Sequence, residues 1–257
     1  MSEEIAEQEN TTENMHSKIK ILCIFHKDGE IDERISDKEI YLPIFGGKAL
    51  YRGDSTVLLS MQGDDTGDNI SKLNPYINEI SVFYWVWKHY DEIGNPDFIG
   101  VNHYRRFIEW SESDLDGKTV LAHDVKLGKS IYEQYSEGHV KEDLDVFSKH
   151  LDEDVLETKF EKDSWKYFMK RTHFHNNNMF LMPKAVFFDY MTFMQKCIDV
   201  CVKMLRNNEI DLMRKDVYQR RAYSFLLERM TGFYLYMLNN KGKYNVKNVE
   251  RVCVECV

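Results

Sequence analysis

Asp97-Phe98-Ile99-Gly100-Val101-Asn102-His103-Tyr104-Arg105-Arg106-Phe107-Ile108-Glu109 is the stretch around which the chain is organised. Phe98 to Val101 are small or apolar and read as a short buried strand. They run directly into His103, Tyr104, Arg105 and Arg106, which cannot all be buried unpaired. The strand therefore delivers a polar, basic cluster to its carboxyl end. In open α/β sheets that end is where ligands sit, and two adjacent arginines favour a phosphate or carboxylate. The alternative for the same residues is a surface ion-pair cluster with Glu109 and Glu112.

Toward the amino terminus, Lys18 to His26 is β-branched and apolar after one alternation and predicts a first buried strand, with His26 at its exit and Asp28-Gly29 opening a loop. Tyr41-Leu42-Pro43-Ile44 precedes Gly46-Gly47-Lys48, glycines that let backbone approach a ligand or simply turn. The spacing is not that of a P-loop. Val57-Leu58-Leu59 reads as the second strand, feeding Gly63-Asp64-Asp65-Thr66-Gly67-Asp68-Asn69. Carboxylates packed between glycines suit a divalent ion or a clamp on sugar hydroxyls, and equally a solvated acidic turn. Asp68 and Asn69 are candidate caps for a helix starting near Leu73 to Pro75, whose inner face is Ile77, Ile80, Tyr84 and Trp87. Trp85 and Trp87 read as core. Glu79 lies one turn inside that helix, on the side from which the acidic loop enters.

Toward the carboxyl terminus, Lys118 to Asp124 predicts another short strand. Residues 127–170 are polar, charged and helix-prone, and read as a helical insertion that could carry acceptor specificity. His173 and His175 alternate ahead of Asn176, Asn177 and Asn178, whose amides suit sugar hydroxyls or an ordinary turn; Met179 to Pro183 is a strand. Val186 to Leu205 and Asp216 to Leu238 predict amphipathic helices, with Glu228 and Arg229 where the second turns polar. Glu228 is either a partner for Arg220, Arg221 or Arg229, or a carboxylate working in a pocket.

The 257 residues suit one large α/β domain. A formal net charge of −9 argues against general nucleic-acid binding and broad adhesion to anionic lipid. The five cysteines include Cys23, Cys197 and Cys201 in apolar surroundings, which fits a reducing compartment, while Cys253-Val-Glu-Cys256 has no second pair to make a zinc site and reads as a frayed end. Residues 1–17 read as a mobile acidic tail, 18–240 as the domain and 241–257 as an extension. No apolar run is long enough to span a bilayer, so the expectation is a cytoplasmic protein whose membrane contact is peripheral, at the inner face.

Gly100-x-x-His103-Tyr104-Arg105-Arg106 resembles the hallmark of a bacterial family, formerly of unknown function, found in capsular, exopolysaccharide and O-antigen gene clusters. Gly63 to Ser71, Asn74-Pro75, Glu79, Tyr84 to Lys88, Asn178-Met179-Phe180 and Glu228-Arg229 follow in that family's order. Its members are described as glycosyltransferases, some as galactofuranosyltransferases. The resemblance implies a hexosyltransferase with a three-layer, GT-A-like α/β fold and a mainly parallel sheet, agreeing with the strand and helix alternation. It also implies a nucleotide-sugar donor, UDP-linked, and a glycan or lipid-linked glycan acceptor.

On that basis His26, Asp64, Asp65, Asn69, His103, Tyr104, Arg105 and Arg106 are expected at the donor. His175, Asn177 and Asn178 are expected at the acceptor or sugar. Asp65, Glu79 and Glu228 are the candidates for the catalytic base, unranked by sequence. Many such enzymes carry Asp-x-Asp for a metal where this chain reads Asn102-His103-Tyr104, so the arginines are expected to neutralise the diphosphate. No metal site is assigned, and Mg²⁺ or Mn²⁺ stay open as cofactors. Two other classes stay open: a non-catalytic sugar- or nucleotide-binding module, and a phosphotransferase using Gly63-Asp64-Asp65.

Overall fold

The structure, a computed structural model, describes residues 18–27 and 32–254; the expected acidic tail, Asp28-Gly29 and Cys256 lie outside them. Nine strands, β1 Ile19–Phe25, β2 Tyr41–Phe45, β3 Gln62–Gly63, β4 Phe98–His103, β5 Arg106–Ile108, β6 Thr119–Lys126, β7 His173–Pro183, β8 Asn245–Asn248 and β9 Arg251–Cys253, form one sheet. The main order is β3-β2-β1-β4-β7-β6-β8, and β5 joins β4 to β9. Along the main order only β7 runs against the rest, so the sheet is mostly parallel. The fold is α/β, as the alternation predicts.

Ile21 to Phe25 of β1 are all buried, as a strand covered on both faces requires. Gly100 in β4 leaves little room for a side chain, since a Cβ there would lie 3.0 Å from Ile21 Cγ1 and 3.2 Å from Leu181 Cδ1. The α-helices of the described residues are α1 to α8 in chain order: Thr56–Ser60, Asn74–Ile77, Ile80–Lys88, Ile131–Gly138, Lys141–Asp154, Lys159–Met169, Lys184–Arg206 and Ala222–Asn240, the first two being single turns. Helices α3 to α8 pack on one face of the sheet in the main core. Phe83, Phe180 and Tyr190 interlock α3, β7 and α7 at centroid distances of 5.5 to 6.4 Å. The other face is thinner, with Cys23, Phe25, Phe45 and Phe107 covered by Ile35, Leu58 and Met61.

Several local expectations are corrected. Val57-Leu58-Leu59 is helix α1, because Ser55 Oγ accepts the Leu58 N–H and only Leu58 is buried, Val57 and Leu59 being 44% and 49% exposed. The second strand is instead Tyr41–Phe45, despite Pro43. Ile21 N–H bonds to Ile40 O and Gly46 N–H to Phe25 O, an alternation that turns the Pro43 nitrogen away from β1, where no donor is missed. The helix predicted from Leu73 onward breaks at Asn78, held at φ 49° and ψ −134°, so Ile77 and Ile80 belong to successive helices. Glu79 becomes the N-cap position of α3. Asn69 accepts from the Ser71 N–H of a preceding 3-10 turn and does not cap α2. The last helix starts at Ala222, behind a 3-10 turn at Gln219–Arg221. Cys253 is not frayed but paired with Arg106. Cys23, Cys197 and Cys201 are buried, and burial raises their thiol pKa.

Residues 127–170 supply α4, α5 and α6, which join the main core through Tyr135, Phe147, Leu151 and Trp165. Among the described residues no helix is long and apolar enough to cross a membrane.

Asp64 ties the front of the sheet together. It is fully buried and accepts from Gly47 N–H at 2.9 Å, Lys48 N–H at 3.2 Å, Ser71 Oγ at 2.6 Å and Ser81 Oγ at 2.6 Å. Removing the carboxylate leaves these donors buried and unpaired. Asp64→Ala should therefore lower unfolding free energy by on the order of 3 kcal/mol. An unchanged midpoint in urea would show that the carboxylate does not hold this corner.

Candidate functional site

A cavity of about 980 Å³ opens at the carboxyl ends of β1 and β4. His26 from β1 and His103, Tyr104, Arg105 and Arg106 from β4 and β5 line one part. Asn78 and Glu79 come from the α2–α3 corner, and Asn176, Asn177 and Asn178 from β7. Gln134 and His139 of the α4 end, with Tyr218, Arg221, Phe225, Glu228 and Arg229 around α8, complete it.

The centre of this arrangement is a wide bulge in β7. Ala122 pairs with Phe180 and Asp124 with His175, so His123 alone faces Asn176 to Met179. Asn177 and Asn178 take left-handed backbone, φ 62° and 52°, which asparagine tolerates better than other residues with a Cβ. The bulge spends every group of Asn177. Its carbonyl accepts from His103 Nε2 at 2.7 Å, its N–H donates to Glu228 Oε1 at 2.7 Å, and its Oδ1 accepts from Arg106 Nη1 at 3.1 Å. Because the Asn177 carbonyl can only accept, His103 carries its proton on Nε2; when neutral, its Nδ1 keeps a lone pair.

Glu228 is saturated. Its second oxygen accepts from Arg229 Nη1 at 2.8 Å, and Arg229, 2% exposed, also donates to Gln134 Oε1 and the Phe225 carbonyl. Glu79 is not. Its Oε1 accepts from Asn178 Nδ2 at 2.7 Å, and among the described residues no donor reaches its other oxygen. The amide orientation of Asn178 follows, since a flip would set two oxygens against each other.

Glycine makes this approach possible. A Cβ on Gly232 would lie 2.7 Å from Phe174 Cδ2 and 3.1 Å from the His175 carbonyl, so only glycine lets α8 lie on β7 with Glu228 one turn away.

The remaining basic groups face the same space. Arg105 lies over the Tyr104 ring at 4.7 Å, and Arg221 Nε donates to Asn78 Oδ1 at 3.3 Å. Tyr104, 6% exposed, packs its ring on His26 and Phe25, and its hydroxyl has no hydrogen-bond partner among the described residues. Desolvation, with His103 nearby, holds the His26 pKa below the usual imidazole range.

The structure thus brings together His26, His103, Tyr104, Arg105, Arg106, Asn177, Asn178, Glu79 and Glu228. It places Asp64, Asp65, Asn69 and His175 elsewhere. Asp64 is consumed internally, and Asp65 and Asn69 belong to a loop that wraps α3, where Thr66 Oγ1 accepts from Trp85 Nε1 and Asp68 from the Tyr84 hydroxyl. His175 is turned away beside Asp124, with its pKa lowered chiefly by burial. His173 accepts from Arg171 at Nε2 and donates from Nδ1 to Asp124 Oδ2 at 2.7 Å, so its lone pair is used.

The carboxylates can be counted against a metal's needs. Among the described residues no three His, Cys, Asp or Glu side chains cluster to hold an ion, and of the cavity's two carboxylates Glu228 is already bonded through both oxygens.

Sequence reasoning missed Asn78, Gln134, His139, Tyr218, Arg221 and Arg229 as cavity residues. A signal existed for part of this set: Tyr218, Arg221, Phe225 and Glu228 recur at 3-4-3 spacing, one face of a helix approach.

His139 stacks on Phe225 at a centroid distance of 3.8 Å, and burial, then the Arg229 charge, lower its pKa to about 4. An unfolded histidine titrates near 6.5. Between these values the unfolded chain binds a proton that the folded chain refuses. The stability contributed by neutral His139 is therefore complete above pH ~6.5 and is lost as pH falls toward 4. His139→Phe, which keeps the stack, should lose less unfolding free energy than wild type between pH 7 and pH 5; equal losses would rule this out.

No curated protein matches the chain. Among solved structures, the apo form of WbbM, a bifunctional glycosyltransferase, superposes with a TM-score of 0.77 over 93% of this chain at 22% identity. The chain spans 46% of that protein's length, about half. A family profile matches residues 20–126 and 113–241, nearly all of the sheet and its helices. The chain belongs to the family described as Domain of unknown function (DUF4422).

Proposed function

We propose that the protein is a glycosyltransferase that moves a hexose, galactose or galactofuranose, from a UDP-linked donor to a growing capsular, exopolysaccharide or O-antigen glycan on the cytoplasmic side. The observation that carries this reading is the pairing of Arg105 and Arg106 with a half-free carboxylate, Glu79, in one cavity at the strand ends. The fold shared with a bifunctional glycosyltransferase and the His-Tyr-Arg-Arg block support it.

In a single displacement, Glu79 takes the acceptor hydroxyl proton on its free oxygen. The acceptor oxygen bonds to the anomeric carbon, and the bond from that carbon to the diphosphate oxygen breaks. The electron pair leaves on the diphosphate, whose charge Arg105 and Arg106 neutralise. Glu228 positions the site: it fixes the Asn177 backbone, which orients His103 and Arg106. Asp65, outside the cavity, is dropped as a base candidate. No step is routed through a metal.

The test combines saturation-transfer NMR and donor turnover, with UDP, GDP, UDP-galactose and UDP-galactofuranose, each with and without EDTA. Arg105→Ala and Arg106→Ala should each lose on the order of 10²- to 10³-fold in kcat/KM. Glu79→Gln should keep UDP binding and lose about 10²-fold or more in kcat. Full turnover by Glu79→Gln removes it as the base. An absolute need for Mg²⁺ or Mn²⁺ with both arginine variants active overturns the arginine model. Donor binding with neither transfer nor hydrolysis would instead identify a non-catalytic module.

A further inference from the structure

The strand-end cluster supplies only part of the lining of the cavity, which continues past it. Its far end is an aromatic wall: His139 and Phe225 stack at 3.8 Å, Tyr218 lies nearly parallel to His139 at 5.8 Å with an interplanar angle of 22°, and Tyr218 and Phe225 meet at 5.0 Å. Tyr218 is 54% exposed, so one ring face is backed by the stack while the rest opens to the cavity. Gln219 Nε2 donates to the Gly138 carbonyl, pinning this segment to the end of α4. Arg221, beside the wall, lies 5.7 Å from the Phe225 ring and donates to Asn78. A large aromatic left exposed yet held rigid from behind is a stacking platform with little ordering cost left.

We propose that Tyr218, backed by His139 and Phe225, is a binding platform for a sugar ring of the acceptor chain, at a remove from the reacting centre. This rests on the glycosyltransferase reading above. Tyr218 stands before the 3-10 turn that leads into α8, and its ring packs on Phe225, one turn ahead of Glu228. Glu228 touches the Asn177 bulge that carries His103 and Arg106, so the platform and that cluster are neighbouring parts of one lining. The platform takes a sugar back along the acceptor from the reacting one. The ring face supplies C–H to π contact and the neighbouring Arg221 supplies donors to hydroxyl or acidic substituents.

The experiment is saturation-transfer NMR of the intact protein with methyl galactoside, galactobiose, maltotriose and chitotriose at millimolar concentration, and separately with UDP. Wild type should show transfer to at least one oligosaccharide. Tyr218→Phe should keep it, since stacking needs the ring and not the hydroxyl. Tyr218→Ala should weaken it roughly tenfold while leaving UDP binding unchanged. Tyr218 is exposed, so either variant should fold as wild type does, and an equal urea midpoint verifies it. No oligosaccharide transfer in wild type overturns the platform, as does undiminished transfer in Tyr218→Ala. Loss of UDP in place of sugar reassigns the wall to the nucleotide base. Oligosaccharide binding with no UDP binding would leave the platform standing and sink the glycosyltransferase reading.

Discussion

The left-handed pair Asn177–Asn178 is the constraint on which the cavity depends. An ordinary strand would alternate these residues across the sheet, and β4 and α8 would then have no common partner. By bulging, β7 presents a carbonyl to His103, an N–H to Glu228 and an amide to Glu79 within two residues. Left-handed backbone costs roughly 1–2 kcal/mol for most residues, and glycine would remove that cost. Glycine would also remove the amides that Arg106 and Glu79 need. Asparagine is the residue type that meets both demands, so three consecutive asparagines in a strand reflect the site and not a surface turn.

The same reasoning separates the acidic residues that look alike in sequence. Gly63-Asp64-Asp65-Thr66-Gly67-Asp68 presents carboxylates at close spacing, and nothing local says which faces a ligand. The decision is made by residues far away in the chain. Gly47 and Lys48 at the exit of β2, and Ser81 on α3, converge on Asp64. A buried carboxylate that already has four donor groups has little left for a metal or sugar. Glu79 is the opposite case: one oxygen is held by Asn178 and the other is left without a partner among the described residues. Saturation, more than residue type or spacing, distinguishes a carboxylate that builds a site from one that can act in it.

What could be read from sequence follows this division. Strands β1 and β4, helix α7 and the polar cluster after Val101 announce themselves because local apolar runs and periodicity dominate there. Tyr41–Phe45 was hidden by Pro43, whose cost vanishes only because its nitrogen faces away from β1. Val57–Leu59 looked like a strand because three apolar residues carry no period, and the Ser55 cap settled it. The break at Asn78 and the burial of His139 arise from contacts with α8 and the turn before it, more than 80 residues away in sequence. No window of sequence contains them. His175 lies outside the cavity for a related reason: it shares a face with His173 beside Asp124, as alternation has it, and only the bulge that follows turns Asn176 to Asn178 into the cavity.

Charge distribution adds a last step. The chain carries a formal −9 overall, yet the cavity is lined by Arg105, Arg106, Arg221 and Arg229 against Glu79 and Glu228, four positive groups to two negative. His26 and His139 add no charge near neutral pH, since burial lowers both. The lining is thus positive on balance, and a compact anion that enters meets that field. Arg106 and Arg221 are held in place by neutral partners, Asn177 and Asn78, so their charge is oriented without being cancelled. Arg229 differs: paired with Glu228 and buried, it belongs to the scaffold of the cavity. What separates the two cavity carboxylates is the same accounting: both oxygens of Glu228 are bonded, while one oxygen of Glu79 is reached by no donor among the described residues.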